Sequence, residues 1–155
     1  MKALITAGGH GTRLRPITYT QNKHLIPIAN KIMLQYAIDY VKEAGIREIG
    51  IIINANDNSI QNVFGNGENL GVEITYIHQD KPLGLAHVVK ISQSFIGDEN
   101  FIFYLGDNIL VGGVKPFIND FHKMNSNCHL VLSQVPDPNR FGVAEVNNNR
   151  ITSIE

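Results

Sequence analysis

Apolar and polar positions change period repeatedly along this 155-residue chain, and the changes divide it into short strands and helices. Lys2 to Thr6 is a compact apolar run that breaks into glycines, the pattern of a buried strand ending in a loop. From Met33 to Ala44 the apolar positions Met33, Tyr36, Ala37, Tyr40, Val41 and Ala44 recur at helical spacing, with Gly45 where a C-capping glycine belongs. The Tyr36 and Tyr40 pair reads as helix packing rather than as a stack for a cofactor. Ile49 to Ile53, interrupted only by Gly50, is the isoleucine-rich run of a strand buried on both faces. Asp57 to Phe64 predicts a short helix, Val72 to Ile77 a strand, Leu83 to Phe95 a second long helix and Phe101 to Leu105 another strand. Val114 to Met124 predicts a third helix and His129 to Val135 a strand. After Pro136-Asp137-Pro138, Gly142 to Val146 and Arg150 to Ile154 read as a hairpin around Asn147-Asn148-Asn149.

The repeated β, α, β, α order predicts an α/β fold: an open, mostly parallel sheet with right-handed crossovers and its ligand site at the carboxyl ends of the strands. The length predicts a single nucleotide-binding domain over residues 1–155. The chain stops directly after an alternating apolar strand, from which we expect an incomplete catalytic domain.

Composition narrows the function. A formal charge of -1 gives no basic face for a nucleic acid, so any phosphate chemistry has to be local. No apolar run approaches the roughly 20 residues that cross a bilayer, and no signal-peptide core follows Met1, so a cytoplasmic location is expected. The single Cys128, in a hydrophobic stretch, is expected to be a buried structural thiol. The six histidines show neither an i, i+4 pair around a glutamate nor a Cys-x-x-Cys companion, and most are expected at the surface or as satisfied core residues.

The candidate chemistry starts at the end of the first strand. Gly8, Gly9 and Gly11 let the backbone turn sharply and bring N–H groups to a phosphate, with Arg13, Arg15 and Lys23 supplying positive charge. The spacing fits neither G-x-G-x-x-G nor G-x-x-x-x-G-K-[ST], which argues against a dinucleotide-binding oxidoreductase and against a P-loop enzyme. An NAD-linked protein would also need an acidic residue after the second strand. At the carboxyl end of the strand Phe101 to Leu105, Asp107 offers a hard oxygen ligand of the kind magnesium prefers. Gln79, between a strand and a helix, carries an amide that can donate and accept at once, as the imide face of thymine or uracil requires.

The run Gly8-Gly9-His10-Gly11-Thr12-Arg13-Leu14-Arg15-Pro16-Ile17-Thr18 resembles the G-G-x-G-T-R-L-x-P-x-T signature of the sugar nucleotidyltransferases. Lys23-His24-Leu25-Ile26-Pro27 is similar to the family's K-x-L-x-P, Gln79 to Ala86 to its Q-x-x-P-x-G-L-A, Leu105 to Asn108 to its L-G-D-N, and Arg140 to Glu145 to its R-[FY]-G-V-x-E. The resemblance implies an open three-layer, Rossmann-like nucleotidyltransferase fold of the GT-A-like kind. It implies that Ala7, Gly8, Gly9, Gly11, Thr12, Arg13, Gln79, Pro82, Gly84 and Gly106 bind the nucleotide, and that Arg13, Lys23 and Asp107 are catalytic. Asp107 would hold Mg²⁺, and Asn108 and Gly142 would meet the sugar, although Gly142 reads equally well as a plain strand glycine. His10 fills the unspecified position of the signature.

The implied reaction takes a nucleoside monophosphate from dTTP to glucose 1-phosphate, giving dTDP-glucose and pyrophosphate. Leu83 to Ala86 and Arg140 to Glu145 look most like the longer thymidylyltransferases. A UTP-dependent uridylyltransferase is the alternative within the class, and a nucleotide-binding module without turnover the alternative outside it. Partners would be the nucleotide and a sugar 1-phosphate, with no nucleic acid or membrane, and family members are commonly homo-oligomers. Where relatives read Lys-Pro-Met before the first long helix, this chain reads Lys31-Ile32-Met33, for which we expect a small stability effect rather than lost chemistry.

Overall fold

The computed structural model describes every residue except His10, Asn125, Asn149 and Glu155, with Arg140 described by its backbone alone. Chain contacts group into two compact units, Met1–Asn119 and Asp120–Glu155.

In the first unit, β1 (Lys2–Thr6), β4 (Glu48–Asn54), β5 (Glu73–Gln79) and β6 (Phe101–Leu105) form a parallel sheet in the order β5-β4-β1-β6. Between β1 and β4 lie a small antiparallel pair, β2 (Pro27–Ile28) with β3 (Lys31–Ile32), and the helix α1 (Met33–Glu43). The helices α2 (Ser59–Phe64), α3 (Leu85–Ile91) and α4 (Gln93–Ile96) follow, and α5 (Lys115–Lys123) runs from the first unit into the second. The predicted strands over Lys2–Thr6 and Phe101–Leu105 have the observed bounds, and those at 49–53 and 72–77 differ from the observed ones by one or two residues.

The strand period of two sorts the core onto two faces. Ala3, Ile5, Ile49, Ile51, Ile53 and Ile74 point to one face, where they meet Leu34, Ala37, Ile38 and Val41 of α1 with Ile60, Val114 and Ile118. Leu4 and Ile52 point to the other, against Val88, Ile96 and Phe95. Helices on both faces make the three layers, and they explain why β4 is apolar almost throughout. Gly50 takes its place in that second layer, since a Cβ there would lie 2.8 Å from the Phe95 ring. Tyr36 and Tyr40 pack with centroids 6.5 Å apart, and Tyr40 packs likewise against Tyr104.

Three expectations need correction. The helix expected over 83–95 starts at Leu85 and is broken at Ser92, whose buried Oγ donates to the carbonyl of Val88 at 2.8 Å. Such back-bonding to residue i−4 bends a helix, and here it separates α3 from α4. The strand expected over 129–135 does not form: the segment has no ladder partner among the described residues, and Leu130, Val131 and Leu132 are about half exposed. Cys128 is exposed rather than buried, because the unpaired segment that it leads into supplies no layer to cover it.

In the second unit, β7 (Ala144–Asn147) and β8 (Arg150–Ile154) form the expected antiparallel hairpin, with a bulge between Glu145 and Val146. Asn148, at φ 49, takes the left-handed turn position that asparagine tolerates, and Asn149 lies outside the described residues. Among the described residues, no helix is long and apolar enough to cross a membrane.

Candidate active site

Because β1, β4, β5 and β6 are parallel, their carboxyl ends share one edge of the sheet. The chain moves from β1 outward to β4 and β5, then returns to the other side of β1 for β6. That reversal makes the gap between β1 and β6 the topological switch point, where open α/β sheets bind ligands. The glycine turn follows β1 there, and Gly106-Asp107 follows β6.

Two glycines in this region cannot be replaced freely. A Cβ on Gly106 would sit 2.5 Å from the Thr6 carbonyl oxygen, to which Gly106 N–H donates at 3.0 Å. The absence of a side chain lets β6 close onto β1 and places Asp107 just past the strand end. Gly11 has φ +61, in the left-handed region, and Thr18 Oγ1 donates to its carbonyl at 2.7 Å, folding the turn back on itself. Ala7 is fully buried and its N–H is taken by the Ile52 carbonyl at 2.8 Å.

Lys23 comes from a 3₁₀ turn, Lys23–Leu25, that is held from both sides. Asn22 Oδ1 accepts from the His24 backbone N–H and from its ring Nδ1, each at 3.0 Å, while Asn22 Nδ2 donates to Asp57 Oδ2 at 2.8 Å. Asp57 Oδ1 in turn accepts from Ser59 N–H at 2.9 Å. Lys23 thus stands on a braced segment, and its Nζ donates to Asp107 Oδ2 at 2.5 Å. A Cβ on Gly9 would lie 3.4 Å from the same Nζ. Glycine turn, lysine and aspartate therefore meet at the switch point.

The electrostatics follow from this packing. Burial raises the Asp107 carboxyl, but the hydrogen bond and positive charge of Lys23 outweigh it and hold the group below its ordinary value, so Asp107 is ionised at neutral pH. Burial, with Lys23 alongside, pushes the His24 imidazole down to about 4, so it is neutral there. Burial also opposes ionisation of Asp57, and hydrogen bonds from Ser59 and Asn22 reverse that.

Gln79 closes β5 beside Asn54 of β4. Its Nε2 lies 3.1 Å from His87 Nδ1, and its Oε1 lies 3.7 Å from where a Cβ on Gly8 would be, so the amide borders the glycine turn. A cavity of about 420 Å³ adjoins Gly8 and Gly9 and is also lined by Asn22, Asn54 and Asp57. A second cavity, of about 470 Å³, lies by Glu48, Glu73 and Phe95, away from the glycine turn, and the lining of neither cavity includes Lys23, Gln79 or Asp107.

The remaining predicted residues are less tied down. Thr12, Arg13, Pro82 and Gly84 are exposed, and no ion pair or hydrogen bond of the Arg13 side chain is recorded among the described residues. Asn108 is exposed, and its carbonyl accepts from Tyr104 OH at 2.8 Å. Gly142 is in the second unit, and His10 lies outside the described residues. Asn22, Asp57 and His87 were not singled out from sequence. Asn22 has the N-cap signature one residue before Lys23, whereas His87 is brought to Gln79 only by the loop between β5 and α3.

Among the described residues, no group of three or more His, Cys, Asp or Glu side chains could hold a metal by itself. A single carboxylate, Asp107, linked through Lys23 to the glycine turn, fits only a cation whose other ligands come from a bound molecule and water, as Mg²⁺ commonly has.

The fold is that of an open α/β protein with its candidate site at the switch point of the sheet, and the chain belongs to the nucleotidyl transferase family, whose profile matches residues 2–155. It is 47% identical over 149 residues to the glucose-1-phosphate thymidylyltransferase of Streptomyces griseus, covering 96% of this chain and 42% of that protein. It is 41% identical to the enzyme of the same name from Neisseria meningitidis, covering 100% and 55%. Among solved structures, a putative glucose-1-phosphate thymidylyltransferase from Bacillus anthracis, in complex with a sucrose, matches with a TM-score of 0.93 at 36% identity, over 100% of this chain and 63% of that one. The chain spans about half the length of the curated relatives it matches.

Proposed function

We propose that this chain is the nucleotide-binding part of a cytoplasmic sugar-1-phosphate nucleotidyltransferase that makes dTDP-glucose and pyrophosphate from dTTP and glucose 1-phosphate. The observation that carries the reading is the meeting of Lys23, Asp107 and the glycine turn at the switch point of the sheet. Identities of 41% to 47% to proteins named glucose-1-phosphate thymidylyltransferase favour thymidylyl transfer.

In this reading a phosphate oxygen of the sugar phosphate attacks the α-phosphorus in line with the departing pyrophosphate. Backbone N–H groups of Gly8, Gly9 and Gly11 line the polyphosphate, and the planar guanidinium of Arg13 balances charge on the leaving group. The Lys23–Asp107 pair is partly exposed, so it contributes only about 0–1 kcal/mol. A bound triphosphate can therefore draw the ammonium onto its oxygens without a large penalty. Asp107 would hold Mg²⁺, which neutralises phosphate charge when bound. Asn108, next to Asp107, is a proposed sugar contact. Because nucleotidyl transfer depends mainly on positioning and charge balance, no nucleophilic side chain is required.

Steady-state release of pyrophosphate from dTTP and glucose 1-phosphate tests the reading. In a form as long as the relatives, Asp107→Asn and Arg13→Ala are each expected to lower kcat by about a hundredfold or more, roughly 3 kcal/mol of transition-state stabilisation. Near-normal kcat in either variant contradicts that residue's role. Nucleotide binding with no turnover would favour a binding module instead. The Gln79 amide suits uracil as well as thymine, and a 29% identical UDP-glucose pyrophosphorylase structure shares the fold over 79% of this chain, so preference for UTP is the second reading.

A further inference from the structure

Gln79 is useful to a nucleotide site only if its amide faces the right way, because its two ends read opposite patterns. Thymine and uracil offer an N3–H donor flanked by carbonyl acceptors, whereas cytosine offers an N3 acceptor beside an amino donor. A freely turning amide serves either base by rotating through half a turn. In this structure the amide has a neighbour that distinguishes its ends: Nε2 lies 3.1 Å from Nδ1 of the half-buried His87, and Oε1 is left on the side of Gly8. A neutral imidazole with its proton on Nε2, the tautomer histidine prefers, has only a lone pair at Nδ1. It accepts from an N–H and repels a carbonyl oxygen.

We propose that His87 is a positioning residue: by accepting at Nδ1 from Gln79 Nε2, it fixes the amide with Oε1 toward the glycine turn and makes the site select an imide base, thymine or uracil, against cytosine. The fixed amide keeps its second N–H for a base carbonyl and its oxygen for N3–H. The opposite orientation, needed for cytosine, sets two acceptors against each other. The inference rests on the proposed nucleotide site and goes beyond it, since base selection is assigned to a helix residue that need not touch the base.

The test is equilibrium binding of dTTP and dCTP, each with Mg²⁺, to this chain and to its His87→Leu and His87→Asp variants. The parent should prefer dTTP by roughly tenfold or more, the selectivity of a good two-point contact. His87→Leu should lose most of that ratio by binding dCTP better, and His87→Asp, which keeps only an acceptor, should retain the ratio even if added negative charge weakens both nucleotides. An unchanged ratio in His87→Leu, or equal loss in His87→Asp, overturns the proposal. The Gln79 side-chain amide resonances of the nucleotide-free chain give an independent readout, expected to shift in His87→Leu and to stay near the parent's in His87→Asp. If the parent binds neither triphosphate, the nucleotide site itself is refuted and base selection with it, while resonances indifferent to His87→Leu would refute the pair alone.

Discussion

Residues 49–53 and 129–135 both carry the apolar character of a strand, yet only the first becomes one. In β4, Ile49, Ile51, Ile52 and Ile53 are at most 1% exposed, with β1 and β5 on its two edges and helices over both faces. Leu130, Val131 and Leu132 are 47% to 53% exposed and their segment has no ladder. Apolar content therefore specifies a strand only where hydrogen-bonding edges and covering layers are also supplied, because an extended backbone gains little by itself. The same contrast separates the two units: every buried apolar residue among those described lies at or before Ile118.

Substitutions sharpen this contrast, and the largest effect is expected in the core beneath the site. Leu34 is fully buried under β1, so Leu34→Ala should cost about 2–5 kcal/mol, whereas Leu132→Ala should stay within about 0.5 kcal/mol. Urea denaturation of the two variants measures both, and comparable losses would show that residue 132 is packed in solution.

Next is the acid response of the buried histidine. The folded value of His24 is depressed to about 4 from 6.5, so the unfolded chain binds the proton first as pH falls. Stability from this group is complete above pH 6.5 and is lost between 6.5 and about 4, by roughly 3 kcal/mol in all. His24→Gln should flatten the stability curve across that window. A curve as steep as the parent's would place the acid sensitivity elsewhere.

The smallest effect is expected at the amino end of α1. Ile32 has φ −65, as proline requires, and follows an extended residue. Pairing of Pro27 with Ile32, and the bond from Met33 N–H to the Ile26 carbonyl at 3.0 Å, make Ile32 a non-hydrogen-bonded position of the β2–β3 ladder. Ile32→Pro should therefore stabilise the chain by about 0.4–1 kcal/mol, seen as a melting temperature higher by a few degrees. A lower melting temperature would contradict the assignment.

β1, β4 and β6 were legible in sequence because each carries a nearly continuous apolar run, β5 because its buried Ile74 lies in a short stretch of β-branched and aromatic residues, and α1 because its stripe has one period and a closing glycine. The break at Ser92 was hidden because a serine within an otherwise helical pattern signals nothing until its hydroxyl turns back to Val88. Of the site, the glycine turn, Lys23, Gln79 and Asp107 could be named from short motifs, each local in sequence. The contacts that orient them could not: Asn22 to Asp57 spans 35 positions and Lys23 to Asp107 spans 84, distances closed only by the parallel sheet.

The central claim is that the edge bearing Lys23 and Asp107 is a magnesium-dependent nucleotide site. Calorimetric titration of this chain with dTTP, and separately with UTP, each with and without Mg²⁺, tests it most directly. The account predicts binding that strengthens with Mg²⁺, favours dTTP, and loses its magnesium dependence in Asp107→Asn. Binding of neither nucleotide, or binding indifferent to Mg²⁺ and to Asp107, would contradict it.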